Sequence, residues 1–188
     1  VVAGRHAPAL PVNLRGARIG VPRACFCEDL DPDMARVFGS VLERLAGAGV
    51  VLVERDLVDV AALNDAAGFP ISLYELVIDL AAYLRAQGAH HDLASVAAAV
   101  ASPDVRSILQ PLLGSDAIAP ALYQAALTRQ RPALQQAYYD YFMQHDVCAV
   151  IFPTTPLPAA AIGADATCLL NGVMVPKFTT FTRNTAPG

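Results

Sequence analysis

The sequence has one lysine, Lys177, and no tryptophan. With a formal net charge of −4 at pH 7 it cannot assemble a basic stripe for phosphate neutralisation, which argues against nucleic acid as a partner. Long apolar runs are also missing. Asp, Arg, Gln or Gly interrupts each one within a few positions, so none is read as the roughly 18 to 20 residues of a membrane span. The opening VVAGRHAPALPV contains Arg5 and His6 and no sustained apolar core, so it does not make a signal peptide and reads as an arbitrary start or a linker. Cysteine is sparse. Without a secretory signal, Cys25, Cys27, Cys148 and Cys168 read as free thiols rather than a disulfide framework, and the expected compartment is reducing and cytoplasmic. Cys25-Phe26-Cys27 has one intervening residue, which fits neither the redox nor the zinc spacing.

What the chain has in quantity is apolar surface. At 188 residues it suits one core, and 55% hydrophobic against 16% charged residues is rich for a free-standing domain of that size. Either some of this surface faces a partner, or alanine-rich helices inflate the figure. Ala17 to Val21 reads as a strand closed by Pro22, and Asp31-Pro32-Asp33 is a strong helix start. Met34, Val37, Phe38, Val41, Leu42 and Leu45 then recur at helical spacing, Gly47 and Gly49 supply the stop, and VVLVE at residues 50–54 suits a strand buried on both faces of a parallel sheet. Residues 17–55 are thus a βαβ unit and the fold class is α/β. From Phe69 to about His145 the period is helical, with Asp92 opening a second helix and Pro132 expected to kink or split a later one. After Asp146, VCAVIF is again a buried strand. It leads into PTTPLPAAAIG, where the chain leaves the sheet in an extended loop at the edge where parallel sheets bind ligands.

Reactive groups are hard to find. None of Ser40, Ser72, Ser95, Ser102, Ser107 and Ser115 lies in a Gly-x-Ser-x-Gly elbow, and no two are adjacent. His90, His91 and Asp92 are contiguous and point in different directions, so no metal site is expected, and the acidic cluster Glu28, Asp29, Asp31 and Asp33 is read as helix capping. Cys148 and Cys168, both in apolar runs, are read as inert core residues. What remains is a polar C-terminal cluster. Asn171-Gly172 is a hairpin signal and threonine runs suit strands, whereas Thr154, Thr155 and Asn184 are candidates for the wall of a site.

LRGARIGVPR, AGAGVVLVERDL, Tyr74-Glu75 in a helix, VIFPTTPLPAAAIG, NGV and FTRNTAPG, in this order, resemble the later part of amidase signature hydrolases, in the branch acting on indoleacetamide and mandelamide. The resemblance implies a partial α/β/α sandwich, a few strands with a helical layer. It implies residues 1–188 as one partial domain: the βαβ unit at 17–55, a helical layer at 69–145, and a strand with a pocket-lining segment at 146–188. It further implies a small-molecule carboxamide substrate and no cofactor. The family's Ser-Ser-Lys machinery has no counterpart here, so no catalytic residue is assigned. Thr154, Thr155, Phe181 and Asn184 are expected near the acyl pocket. The chain is expected to be an excised segment that exposes an apolar edge and pairs as a homodimer through it. The rival reading is a stand-alone α/β binding or interaction module without catalysis.

Overall fold

The computed structural model describes residues 13–163 and 166–188; the expectations for VVAGRHAPALPV, His6 included, lie outside them. Three short parallel strands are the frame: β1 (Arg18–Gly20), β2 (Val51–Val53) and β3 (Ala149–Val150), in the order β2-β1-β3. Ile19 is in register with Leu52 on one side and Ala149 on the other. Between β1 and β2 runs α1 (Pro32–Gly47). Asp31 caps it by accepting the Asp33 N–H at 2.9 Å, with Pro32 at the first turn, as the sequence predicts.

Successive residues of a strand face opposite sides, and β1 uses both. Val21, just past its end, packs with Phe38 and Leu42 of α1. On the other side Phe26, Leu57, Val60, Tyr141 and Val147 form the second cluster, which Tyr141 enters from α6 (Arg131–His145). Helix, sheet, helix is therefore built from a strand of three residues. Each fully buried apolar side chain of this set contributes about 1.5–3 kcal/mol relative to exposure.

The expected strands are shortened and moved to the surface. β2 is an edge strand and Val51 is 43% exposed, so VVLVE is not buried on both faces. VCAVIF pairs as a strand only at Ala149 and Val150, with further hydrogen bonds from Cys148 N–H to the Arg18 carbonyl and from Ile151 N–H to the Gly20 carbonyl. Cys148 is exposed, not a core residue, because it lies at the outer start of this edge strand; its Sγ is 3.2 Å from the Arg18 carbonyl. Cys168 is buried as expected.

The helical layer starts earlier than the periodicity suggests. α2 runs from Val60 to Ala86 with Pro70 inside it, and its buried residues Val60, Asn64 and Ala67 precede the expected start at Phe69. By length and composition α2 could cross a membrane, which corrects the expectation that no stretch reaches that length. It packs against later helices of this chain. After α3 (Leu93–Ala99), capped by Asp92, and α4 (Pro103–Leu112) comes one continuous helical run, α5 (Pro120–Ala125), a π segment (Ala126–Gln130) and α6. Pro132 neither splits nor ends it. The widened turn just before Pro132 absorbs the missing N–H and the clash its ring would make with the carbonyl four residues back. Tyr123 of α5 stacks on Tyr74 of α2 with centroids 4.0 Å apart and donates to Glu75 Oε1 at 2.8 Å, fastening the layer.

The C-terminal part is a hairpin and a short helix. β4 (Thr167–Leu170) and β5 (Val173–Pro176) pair antiparallel around Asn171 and Gly172, whose φ values of 50° and 83° are those of the primed turn that Asn-Gly predicts. The following threonine run is helical rather than a strand, forming α7 (Lys177–Thr182). Thr182 Oγ1 donates back to the Phe178 carbonyl, which satisfies the hydroxyl within the helix. Asn184 is fully buried, and its Nδ2 donates to the carbonyls of Phe26 and Pro153, both at 2.7 Å.

Two stability outcomes follow. A Cβ at Gly20 would sit 2.5 Å from the Tyr141 hydroxyl, so Gly20→Ala should lower stability by about 1–3 kcal/mol through overpacking. An unchanged urea midpoint would mean that Tyr141 does not lie against β1. Asn184→Ala leaves two buried carbonyls without a donor, at about 1–3 kcal/mol each. Asn184→Asp, isosteric but with no donor at neutral pH, should be at least as damaging, and a mild Asp variant would contradict the assigned hydrogen bonds.

Candidate functional site

At the C-terminal edge of the sheet, where ligands of open parallel sheets gather, the chain leaves β1 in a tightly held loop. Asp56 Oδ1 accepts the backbone N–H groups of Arg23 and Ala24 at 2.8 and 2.9 Å, which hold its carboxyl below the usual carboxylate range. Cys25 and Asp29 adopt positive φ, 70° and 49°, so the loop folds back on itself, and Phe26 stacks on Phe152 with centroids 4.1 Å apart. The result presents Cys25, Glu28 and Asp29 towards α2 and the hairpin.

Between these three parts lies a cleft of about 680 Å³. Asn64, Asp65 and Phe69 come from α2, Leu170, Val173 and Val175 from the hairpin, and Thr179, Thr180 and Thr182 from α7, with Arg183 beside them. Arg183 is spent on the frame: its Nη2 donates to the Glu28 carbonyl at 2.6 Å and its Nε to Asn184 Oδ1 at 3.2 Å. Burial pushes the Cys25 thiol up, with the Arg183 cation opposing, so at neutral pH the thiol remains protonated and is a poor nucleophile. Asn64 is only 8% exposed, and its Oδ1 has no hydrogen-bond partner. Among the described residues, no serine, histidine or lysine stands on the cleft wall, and no group of three or more His, Cys, Asp or Glu could hold a metal ion. This arrangement can hold and orient a partly apolar ligand; among the described residues the carboxylates of Glu28, Asp29 and Asp65 are the basic groups on it, with no serine beside them to activate.

The residues singled out from sequence fall around the cleft rather than on its wall. Asn184 fastens the frame behind Arg183. Thr154 is exposed, and Thr155 Oγ1 donates to the Leu157 carbonyl at 2.9 Å, bracing the proline-rich loop. Phe181 packs with Leu157, Cys168 and Leu170 at the base of the hairpin. Asn184 reaches the Pro153 carbonyl, so it joins the loop of Thr154 and Thr155, while Phe181 belongs to the adjoining apolar cluster. Sequence reasoning missed Asn64, Asp65 and Phe69 of α2 as wall residues. Asn64 interrupting the buried stripe of α2 was the available signal, hidden because that helix was taken to start after it.

The Amidase family profile matches residues 4–188. Indoleacetamide hydrolase of Agrobacterium vitis is 39% identical over 187 residues, covering 100% of this chain and 40% of that protein. Mandelamide hydrolase of Pseudomonas putida is 28% identical over 160 residues, covering 79% of this chain and 31% of that protein. A crystal structure of an amidase superposes with a TM-score of 0.70 at 22% identity, over 98% of this chain and 38% of that one. The chain thus spans about two fifths of the length of the indoleacetamide hydrolase and of the amidase structure that it matches over nearly its whole extent. With the motif order, the mixed α/β frame and a family match over nearly every residue, the chain belongs to the amidase family.

Proposed function

We propose that this chain forms the acyl-pocket wall of an amide hydrolase acting on carboxamides of the arylacetamide kind. The observation that carries the reading is the 680 Å³ cleft, apolar where Leu170, Val173 and Val175 of the hairpin stand with Phe69 of α2, and with no serine, histidine or lysine on its wall among the described residues. A serine outside these 188 residues attacks the amide carbonyl and forms an acyl ester. The proton of the serine hydroxyl goes to the amide nitrogen, which leaves as ammonia, and water then cleaves the ester to the carboxylic acid and restores the serine. The similarity to proteins named indoleacetamide hydrolase and mandelamide hydrolase supports an arylacetyl-type acyl group. Phe69, Leu170 and Val173 give its ring apolar contact, discriminating by about 1 to 3 kcal/mol per methylene-sized change.

A second copy of the chain is the proposed protein partner. The outer face of the hairpin leaves Leu169 and Met174 more than half exposed and directly paired across the strands. From Thr167 to Pro176 there is no acidic or basic side chain, so two copies meet there without opposing like charges despite the net −4.

The purified chain with phenylacetamide should release no ammonia, while a polypeptide that also carries a Gly-Ser-Ser-Gly-like segment and a lysine upstream should release it. Turnover by the chain alone would overturn the placement of the nucleophile, and binding without turnover by the longer polypeptide would favour a non-catalytic α/β binding module. In sedimentation velocity the chain should run as a dimer, and Leu169→Glu with Met174→Glu should shift it to monomer. A monomer at high concentration before substitution would remove the dimer.

A further inference from the structure

Hydrolysis of an arylacetamide converts a neutral ligand into an anion at neutral pH, so a wall that holds the acyl group meets both. Three carboxylates, Glu28, Asp29 and Asp65, stand on this cleft against one guanidinium, that of Arg183. Among the described residues none of the three carboxylates is in an ion pair. The guanidinium donates to the Glu28 carbonyl and to Asn184, and so is not free to receive an anion. A second, uncharged feature points the same way. Asn64, 8% exposed on the same wall, has an Oδ1 acceptor with no donor. That oxygen is itself buried beside Gly68, where a Cβ would lie 3.0 Å from it. A primary amide brings N–H donors to such a wall, and a carboxylate brings none.

We propose that the cleft is built to take the neutral amide and to reject the carboxylate formed from it, with Glu28, Asp29 and Asp65 repelling the anion and Asn64 accepting an amide N–H. The inference rests on the acyl-pocket reading above and adds that the product leaves because its charge is repelled by the wall. The carboxylates are exposed, so the effect is of long range and salt-dependent, on the order of tenfold in affinity at low ionic strength and shrinking once the Debye length falls below the separations across the cleft.

The chain has no tryptophan, so the fluorescence of an added indole is read without protein tryptophan background. Indole-3-acetamide should bind the purified chain about tenfold more tightly than indole-3-acetate at low salt. That ratio should close towards one at about 0.5 M NaCl. It should close likewise in a Glu28→Gln, Asp65→Asn variant, whose circular dichroism verifies the fold. Asn64→Leu should weaken the amide several-fold, leaving the acetate little changed. Equal affinities at low salt, or a gap that neither salt nor the paired substitution narrows, would overturn the inference while leaving the acyl-pocket reading intact. No saturable binding of either probe would instead sink that reading, and this inference with it.

Discussion

The hydrogen bonds from the Asn184 carboxamide to the carbonyls of Phe26 and Pro153 tie together three segments that are far apart in sequence. Phe26 belongs to the loop after β1, Pro153 to the loop after β3, and Asn184 to the segment after α7. Two short parallel strands give little purchase for holding their following loops side by side, and one buried side chain with two donors does so. Arg183, fixed in turn by Asn184 Oδ1 and the Glu28 carbonyl, then stands on the cleft in one orientation. The residue chosen from sequence as a site candidate thus acts one layer further back, setting the position of those that face the cleft.

Much of the frame was legible because its signals are local. Asp31-Pro32-Asp33 can cap a helix whatever surrounds it, and Asn171-Gly172 can make its turn with no help from the core. The misreadings share a different cause. VVLVE and VCAVIF have the composition of central strands, yet composition does not say how many neighbours a strand finds, and here β2 and β3 are edges. Pro132 is expected to kink or split its helix, but a proline is tolerated where a widened turn ahead of it and packing on other helices hold both flanks. The threonine run after Pro176 has strand propensity and forms a helix, as context overrides so weak a preference.

The cleft was less legible than the frame, since its walls come from the loop after β1, the first turns of α2, the hairpin and α7. No spacing rule links Asp65 to Thr179 or Cys25 to Val175. What could be read was an anomaly, a polar side chain at an apolar position of an amphipathic stripe. Asn64 is such a case, and its partnerless oxygen is the structural counterpart of that anomaly.

The chemistry of the wall suits the proposed division of labour, in which this chain binds and another segment reacts. A thiol faces the cleft at Cys25, and a thiolate there could intercept an activated acyl group. Desolvation keeps it protonated against the pull of Arg183, and among the described residues no histidine or lysine stands on the wall to take its proton. Among the described residues the hydroxyls of Thr179, Thr180 and Thr182 have no histidine or lysine on the wall either, and Thr182 already donates to Phe178. A wall that is polar enough to orient an amide and too inert to compete for its acyl group is what a separate nucleophile requires.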